Sequence, residues 1–287
     1  MKQILSPEWL VPVVPAGLIL ENHSLIIVDE RIEALLPREE AIVSYPDVVE
    51  SRLQNQLMTP GFINVHGHAA MTLMRGLADD REMMDWLTKW IWPIEGQVVD
   101  KQFVYDGTRL AVLEMIMSGT TCASELYFFP DVAAKAINEM HFRAQITLPV
   151  LKLENSWAKN EDDHIHKGLA FRDNIKHDLM ITTAFAPHAP YTVSDRGFEK
   201  IKLYAEQLNI PIHLHLHETA RECDDSIQDH GVRPIARMDS LGILSSNLQA
   251  IHMTQLRDDE IDLISTYAVQ IAHCPESNMK LASGICR

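Results

Sequence analysis

The hydrophobic rhythm of the chain changes near residue 58. Before that point apolar positions come in short runs, Leu18-Ile19-Leu20, Ser24-Leu25-Ile26-Ile27-Val28 and Arg31-Ile32-Glu33-Ala34-Leu35-Leu36, separated by polar turns such as Asp29-Glu30. Short alternating runs between turns predict small antiparallel strands. After it, β-rich runs at residues 61–66, 120–124, 144–148, 180–185, 210–215, 248–252 and 268–273 are separated by stretches of helical period, among them 103–117, 198–208 and 257–266. Strand then helix, repeated, predicts a parallel sheet covered by helices. The seven runs share the 229 residues from 59 to 287, an average of about 33 residues each, the size of one βα unit. The pattern therefore predicts part of a small β-sandwich domain over residues 1–58. Over 59–287 it predicts a (β/α)8 TIM barrel with about seven of its eight units in this sequence.

Composition narrows the function. Hydrophobic residues make up 46% and charged residues 23%, ordinary for a globular protein and unlike a disordered one. The net charge of −15 argues against a nucleic-acid partner, because phosphate binding needs a basic field. The apolar stretch at residues 9–20 is broken by Pro12 and Pro15 and is too short to span a bilayer. The opening Met1-Lys2-Gln3-Ile4-Leu5-Ser6-Pro7 lacks the pattern of a secretory leader. The four cysteines include no Cys-x-x-Cys pair, which predicts reduced thiols and a cytoplasmic setting. These features leave a small-molecule substrate, with no nucleic acid and no membrane, and they leave a homo-oligomer open.

The 14 histidines carry the chemistry. His66, His68, His188, His215, His252 and His273 each fall at or just past the C-terminal end of a predicted strand. In a parallel barrel all those ends open on one face, where such folds place their sites. His66-Gly67-His68 puts two imidazoles on one side of a strand, within reach of one ion. His213-Leu214-His215-Leu216-His217-Glu218 alternates, which predicts three imidazoles projecting to the same side. Burying three without a partner is costly, and a metal with its surroundings would supply one. Alternation leaves open which of the three binds, and a solvent-lined strand end with a free carboxylate is the plainer alternative.

Taken in order, several segments resemble the amidohydrolase superfamily. They are Pro60-Gly61-Phe62-Ile63-Asn64-Val65-His66-Gly67-His68 with Met74-Arg75-Gly76-Leu77, Trp90-Ile91-Trp92-Pro93-Ile94-Glu95 and Ala186-Pro187-His188-Ala189-Pro190-Tyr191. His215-Leu216-His217-Glu218-Thr219 and His273-Cys274-Pro275-Glu276-Ser277-Asn278-Met279-Lys280-Leu281 follow. The set is most similar to the 5′-methylthioadenosine/S-adenosylhomocysteine deaminase branch, neighbour to the triazine hydrolases. The resemblance implies one zinc per subunit (iron in some relatives) on His66, His68 and His215. It implies Glu218 as proton shuttle, His252 bonded to the attacking oxygen, His188 on the adenine ring and Glu95 on the ribose hydroxyls. Trp86, Trp90 and Trp92 are candidates for the pocket wall or for helix packing. Leu148 stands where relatives that hold an amino-acid carboxylate carry arginine, which favours 5′-methylthioadenosine over S-adenosylhomocysteine. The family also places a zinc-binding aspartate, in a Gly-Thr-Asp setting, at the end of the eighth strand. The last residues here, Ser283-Gly284-Ile285-Cys286-Arg287, contain none, and Asp258, Asp259 and Asp262 are poor substitutes. The expectation is a C-terminally truncated member with impaired deamination. The alternatives are a hydrolase of another amino- or chloro-substituted heteroaromatic ring, and a non-catalytic remnant or half of a split enzyme.

Overall fold

In the computed structural model, which describes residues 1–287, the N-terminal sheet is organised around β1 (Lys2–Leu10). β2 (Leu20–Glu21) and β3 (His23–Val28) pair antiparallel with β1, and β4 (Arg31–Pro37) pairs antiparallel with β3. Helix α1 (Arg38–Ser44) follows, and β5 (Glu50–Met58) returns to pair parallel with β1. Ile4 and Ile26, cross-strand partners, are buried with Ala41 of α1. The strands expected at 24–28 and 31–36 are present, and the run at 18–20 contributes only β2. Neither β1 nor β5 stands out in the hydrophobic pattern. Polar Lys2, Gln3 and Glu8 interrupt the first, and the second has two leucines and a methionine among polar residues. Their pairing joins segments distant in sequence, which local pattern does not report. This compact unit is Met1–Phe62, and the second is Ile63–Arg287.

The second unit holds seven strands in sequential order, with every registered pair parallel. They are β6 (Phe62–Gly67), β7 (Thr120–Glu125), β8 (Arg143–Val150), β9 (Ile181–Pro187), β10 (Ile212–Leu216), β11 (Leu248–His252) and β12 (Gln270–Ala272). The helices are α2 (Met83–Trp86), α3 (Trp92–Val98), α4 (Lys101–Met117), α5 (Pro130–Glu139), α6 (Glu161–Ile175) and α7 (Asp195–Leu208). α8 (Ala220–His230), α9 (Pro234–Ser240), α10 (Asp258–Thr266) and α11 (Pro275–Lys280) complete the set. Each of the seven predicted runs is a strand here, as the alternation of strand and helix required.

The sheet is rolled. His66 of β6 and His215 of β10 have three strands between them in sheet order, yet their Nε2 atoms lie 3.1 Å apart. Only a nearly closed barrel brings them together. Its edges are β6 and β12, where Ile63, Val65 and Ile271 are exposed. Strand period divides the layers. In β10, Leu214 and Leu216 belong to the hydrophobic core, and burial of each is worth about 1.5–3 kcal/mol. His213 and His215, on the opposite face, point into the barrel. Leu148 faces outward in the same way: it is fully buried in the hydrophobic core, and a Cβ added at Gly168 of α6 would sit 3.1 Å from its own Cβ. A side chain at 148 therefore packs the helix layer and does not line the site, contrary to the expectation that it faces the substrate tail. Gly107 of α4 permits a second close approach, since a Cβ there would lie 2.6 Å from the carbonyl oxygen of Ala70. That contact packs α4 against the 3-10 turn Ala69–Met74, which begins directly after His68.

Candidate active site

The histidines picked out by position gather at the C-terminal ends of the strands. His66, His215 and His252 lie in β6, β10 and β11, while His68, His188 and His273 lie just past β6, β9 and β12. The metal-capable nitrogens of His66, His215 and His252 are all within 4.8 Å of one another. His68 joins them, its ring 4.8 Å from that of His66 and 5.4 Å from that of His215.

Hydrogen bonds assign the ring protons. His68 Nδ1 lies 2.6 Å from the carbonyl oxygen of Leu126, and His215 Nδ1 lies 2.7 Å from that of His188. A carbonyl only accepts, so each Nδ1 carries the proton and each Nε2 presents a lone pair. His252 is tied differently. Its Nδ1 is 3.0 Å from the amide nitrogen of Asn278, which donates, so the proton sits on Nε2, 3.3 Å from Glu218 Oε1. Burial, reinforced by neighbouring imidazoles, pushes His66 and His215 well below the ordinary histidine pKa, and burial lowers His68. His188 falls to about 3 and His252 to about 4 for the same leading reason. Neutral imidazoles with convergent lone pairs are the form that binds a transition metal, and zinc is suited to three such donors. The facing Nε2 atoms of His66 and His215 repel unless a cation or proton lies between them. The donor set fits a metal.

Glu218 stands beside this cluster because the chain turns sharply after β10. His217 has φ +52°, in the left-handed region, and the strand alternation ends there. Its imidazole turns away from the other two and is fully buried against a different partner set. Nε2 accepts from the Ile235 N–H at 3.0 Å, Nδ1 lies 3.2 Å from the Gln255 carbonyl, and Arg233 and Glu260 form an ion pair alongside. The expectation that His213, His215 and His217 all project to one side therefore holds for the first two only. Helix α8 then begins at Thr219, whose side chain accepts from the Glu222 N–H at 3.1 Å. The Glu222 carboxylate reaches back past the cap, accepting from the His217 N–H at 3.0 Å and the Glu218 N–H at 2.7 Å. Burial, and after it the neighbouring Glu222, raises the Glu218 pKa to about 8. Sequence reasoning passed over Glu222, although Thr219-Ala220-Arg221-Glu222 has the spacing of a capping box.

Three adjoining cavities lead away from the histidines. The first, about 410 Å³, is lined by His66, His68, His188, Glu218, His252 and His273. The second, about 100 Å³, shares His68, Trp86 and His188 with it and extends to Glu95. The third, about 160 Å³, shares Trp92, Glu95, Phe128 and Leu151 with the second and adds Leu153 and Glu154. Glu95 accepts a 2.6 Å hydrogen bond from the Tyr127 hydroxyl, and burial raises its pKa. Tyr127 was not anticipated and carried no local signal. Trp86 and Trp92 line these cavities, whereas Trp90 is 41% exposed beneath the Arg81 guanidinium.

A rolled parallel sheet with histidines at its strand ends and a carboxylate beside them makes a barrel whose open end could hold a metal ion. Residues 57–287 match the amidohydrolase family, and the chain belongs to it. It is 48% identical over 285 residues to a 5-methylthioadenosine/S-adenosylhomocysteine deaminase of Saccharophagus degradans, covering 99% of this chain and 64% of that protein. A 5′-deoxyadenosine deaminase of Methanosphaera stadtmanae is 34% identical over 266 residues, covering 93% of this chain and 62% of its own length. Among solved structures, an adenosine deaminase of Xanthomonas campestris with bound zinc superposes with TM-score 0.95 at 42% identity, over 99% of this chain and 65% of its own. The chain thus spans about two-thirds, 64%, of the length of the curated relative it matches at 48%. An atrazine chlorohydrolase of Arthrobacter aurescens shares the fold alone, at 17% identity and TM-score 0.88.

Proposed function

We propose that this chain carries the site of a zinc-dependent hydrolase that deaminates an adenine nucleoside, 5′-methylthioadenosine foremost, to the inosine analogue and ammonia. The observation that carries it is the convergence of His66, His68 and His215, each with a lone pair free, beside Glu218 and at the head of cavities that run to Glu95. The names of the relatives, deaminases of 5′-substituted or 5′-deoxy adenosines, supply the substrate class.

His66, His68 and His215 would hold the metal. His252 is set apart from them by its protonated Nε2, which suits it to donate a hydrogen bond to the attacking oxygen. Bound zinc supplies Lewis-acid activation of water near neutral pH. Glu218, beside the cluster, carries a proton from the attacking water to the ring nitrogen next to the amino-bearing carbon. The water oxygen bonds to that carbon, its second proton passes to the amino nitrogen, and the carbon–nitrogen bond breaks to release ammonia as the oxygen becomes the carbonyl. His188, neutral and lining both of the first two cavities, contacts the base. Glu95, held by Tyr127, accepts from the ribose hydroxyls.

The 5′ substituent would enter the third cavity. Trp92, Phe128, Leu151 and Leu153 make it apolar, and its ionisable side chains, Glu95 and Glu154, are both acidic. An uncharged methylthio group is accepted there, and a carboxylate-bearing tail is repelled. The test is ammonia release, with conversion of adenine to hypoxanthine absorbance, by the zinc-supplemented protein given 5′-methylthioadenosine or S-adenosylhomocysteine. Higher kcat/KM for 5′-methylthioadenosine supports the assignment. Failure to bind or turn over any adenine nucleoside, with turnover of an amino- or chloro-triazine instead, would sink it.

A further inference from the structure

His66 differs from its two neighbours in the way its ring is held. His68 and His215 lean on backbone carbonyls, whereas His66, on the edge strand β6, leans on the side chain of His213. His213 is fully buried and the proposed chemistry does not use it. Sheet register places it opposite Gln249 of β11. Its Nδ1 lies 3.0 Å from Gln249 Oε1, and its Nε2 lies 2.8 Å from His66 Nδ1.

Proton assignment runs one way along this row. The Gln249 oxygen only accepts, so His213 Nδ1 carries a proton. His213 Nε2 is then the acceptor, and the proton on the next bond belongs to His66 Nδ1. His66 Nε2 is left with its lone pair aimed at the cluster, 3.1 Å from His215 Nε2. If position 249 donated to His213 instead, every proton would move over, and His66 Nε2 would be capped by hydrogen. The two rings lie edge to edge and nearly coplanar, 23° apart with centroids 5.1 Å apart, so the bond between them fixes the plane of His66 as well as its tautomer.

We propose that Gln249 and His213 are positioning residues, a two-step relay that locks His66 in the Nδ1–H tautomer and turns its Nε2 toward the metal. The proposal rests on His66 being a metal ligand. His213 itself binds no metal, because its Nδ1 carries a proton and its Nε2 is committed to His66.

Two measurements on the whole chain test it. Nitrogen-15 NMR of histidine-labelled, metal-free protein reads the tautomers directly. His66 and His213 are both expected as Nδ1–H, and an Nε2–H form of His66 in the wild type overturns the relay whether or not zinc binds. Zinc affinity, measured against a chromophoric chelator, gives the second readout. His213→Phe keeps the ring shape without nitrogen and is expected to weaken zinc by about 10–100-fold, the usual cost of losing a partner behind a ligand. Gln249→Leu is expected to weaken zinc less, and Gln249→Glu, which makes His66 more basic through His213, to tighten it. A structural role would not give the two Gln249 variants opposite signs. Unchanged zinc affinity in all three variants, or a loss in His213→Phe as large as that in His66→Ala, would refute the relay. Absence of zinc binding by the wild type would defeat the metal assignment, with the tautomers still read by NMR.

Discussion

At the scale of single residues, the site works by setting apart groups of one chemical type. His68 is half-buried and His252 buried, and a carbonyl behind one and an amide nitrogen behind the other leave opposite ends protonated. One is thereby suited to a metal and the other to an oxygen. Glu218 and Glu95 differ in the same manner, the first beside the histidines and the second against the Tyr127 hydroxyl. Glu218→Gln removes the proposed proton carrier and leaves the imidazole lone pairs untouched. Turnover is expected to fall by about 10²–10⁴-fold, the usual worth of a positioned acid–base, with zinc stoichiometry unchanged. Steady-state kinetics and metal analysis on the same preparation check both halves, and a matching loss of zinc would contradict the role.

At the scale of elements, the junction between β10 and α8 decides where Glu218 points. Thr219 caps the helix, and Glu222 holds two consecutive N–H groups of a turn that includes a left-handed histidine. Glu222→Gln can keep only one of these bonds, since its amide nitrogen would face an N–H. A hydrogen bond to a charged group is worth about 1.5–3 kcal/mol, so a lower melting temperature is expected. Because His215 lies inside the strand and its partner is the His188 carbonyl, zinc affinity is expected to hold while kcat falls. Thermal unfolding and a zinc titration on this variant test that split. Loss of zinc binding would mean that the turn, and not the strand, places His215.

At the scale of the whole molecule, buried titratable groups couple the fold to pH and to metal. His66, His68, His164, His188, His213, His215, His217 and His252 all have lowered pKa values, with burial the largest cause. For a histidine lowered from 6.5 to about 4, as His164 is, the unfolded chain takes up the proton first. Its stability contribution is full above pH 6.5 and is lost as pH falls toward 4. Glu218 and Glu125, raised by burial from 4.5 to about 8, act oppositely: the folded chain binds the proton more tightly, and stability is lost as pH rises through that window. The more numerous histidines outweigh them on the acid side. The metal-free protein is therefore expected to lose melting temperature steeply from pH 6.5 to 4 and gently from 6.5 to 8. A flat acid limb in calorimetry would contradict it. On the proposed metal assignment, zinc held only by the folded cluster is expected to stabilise the fold by about 2.7 kcal/mol at a hundredfold excess over Kd, and so to raise the melting temperature. Chelation is expected to reverse that rise, and His66→Ala to abolish it.

The order of strand and helix and the histidines at the strand ends were legible in the sequence, because period and position along a strand are local properties. The family followed from the same ordered motifs. Burial direction was legible only while the strand continued. His213 and His215 share a face as alternation requires, but His217 lies beyond the point where the backbone turns left-handed, and its side chain joins Arg233 and Glu260 instead. The outward packing of Leu148 against α6, the exposure of Trp90 and the clasp of Tyr127 on Glu95 are likewise decided between elements. So is the row from Gln249 through His213 to His66, which joins residues of three strands. One-dimensional spacing says which side of a strand a residue takes. Which atom meets which, and so which nitrogen keeps its proton, is set only when the sheet rolls and brings β6 and β10 face to face.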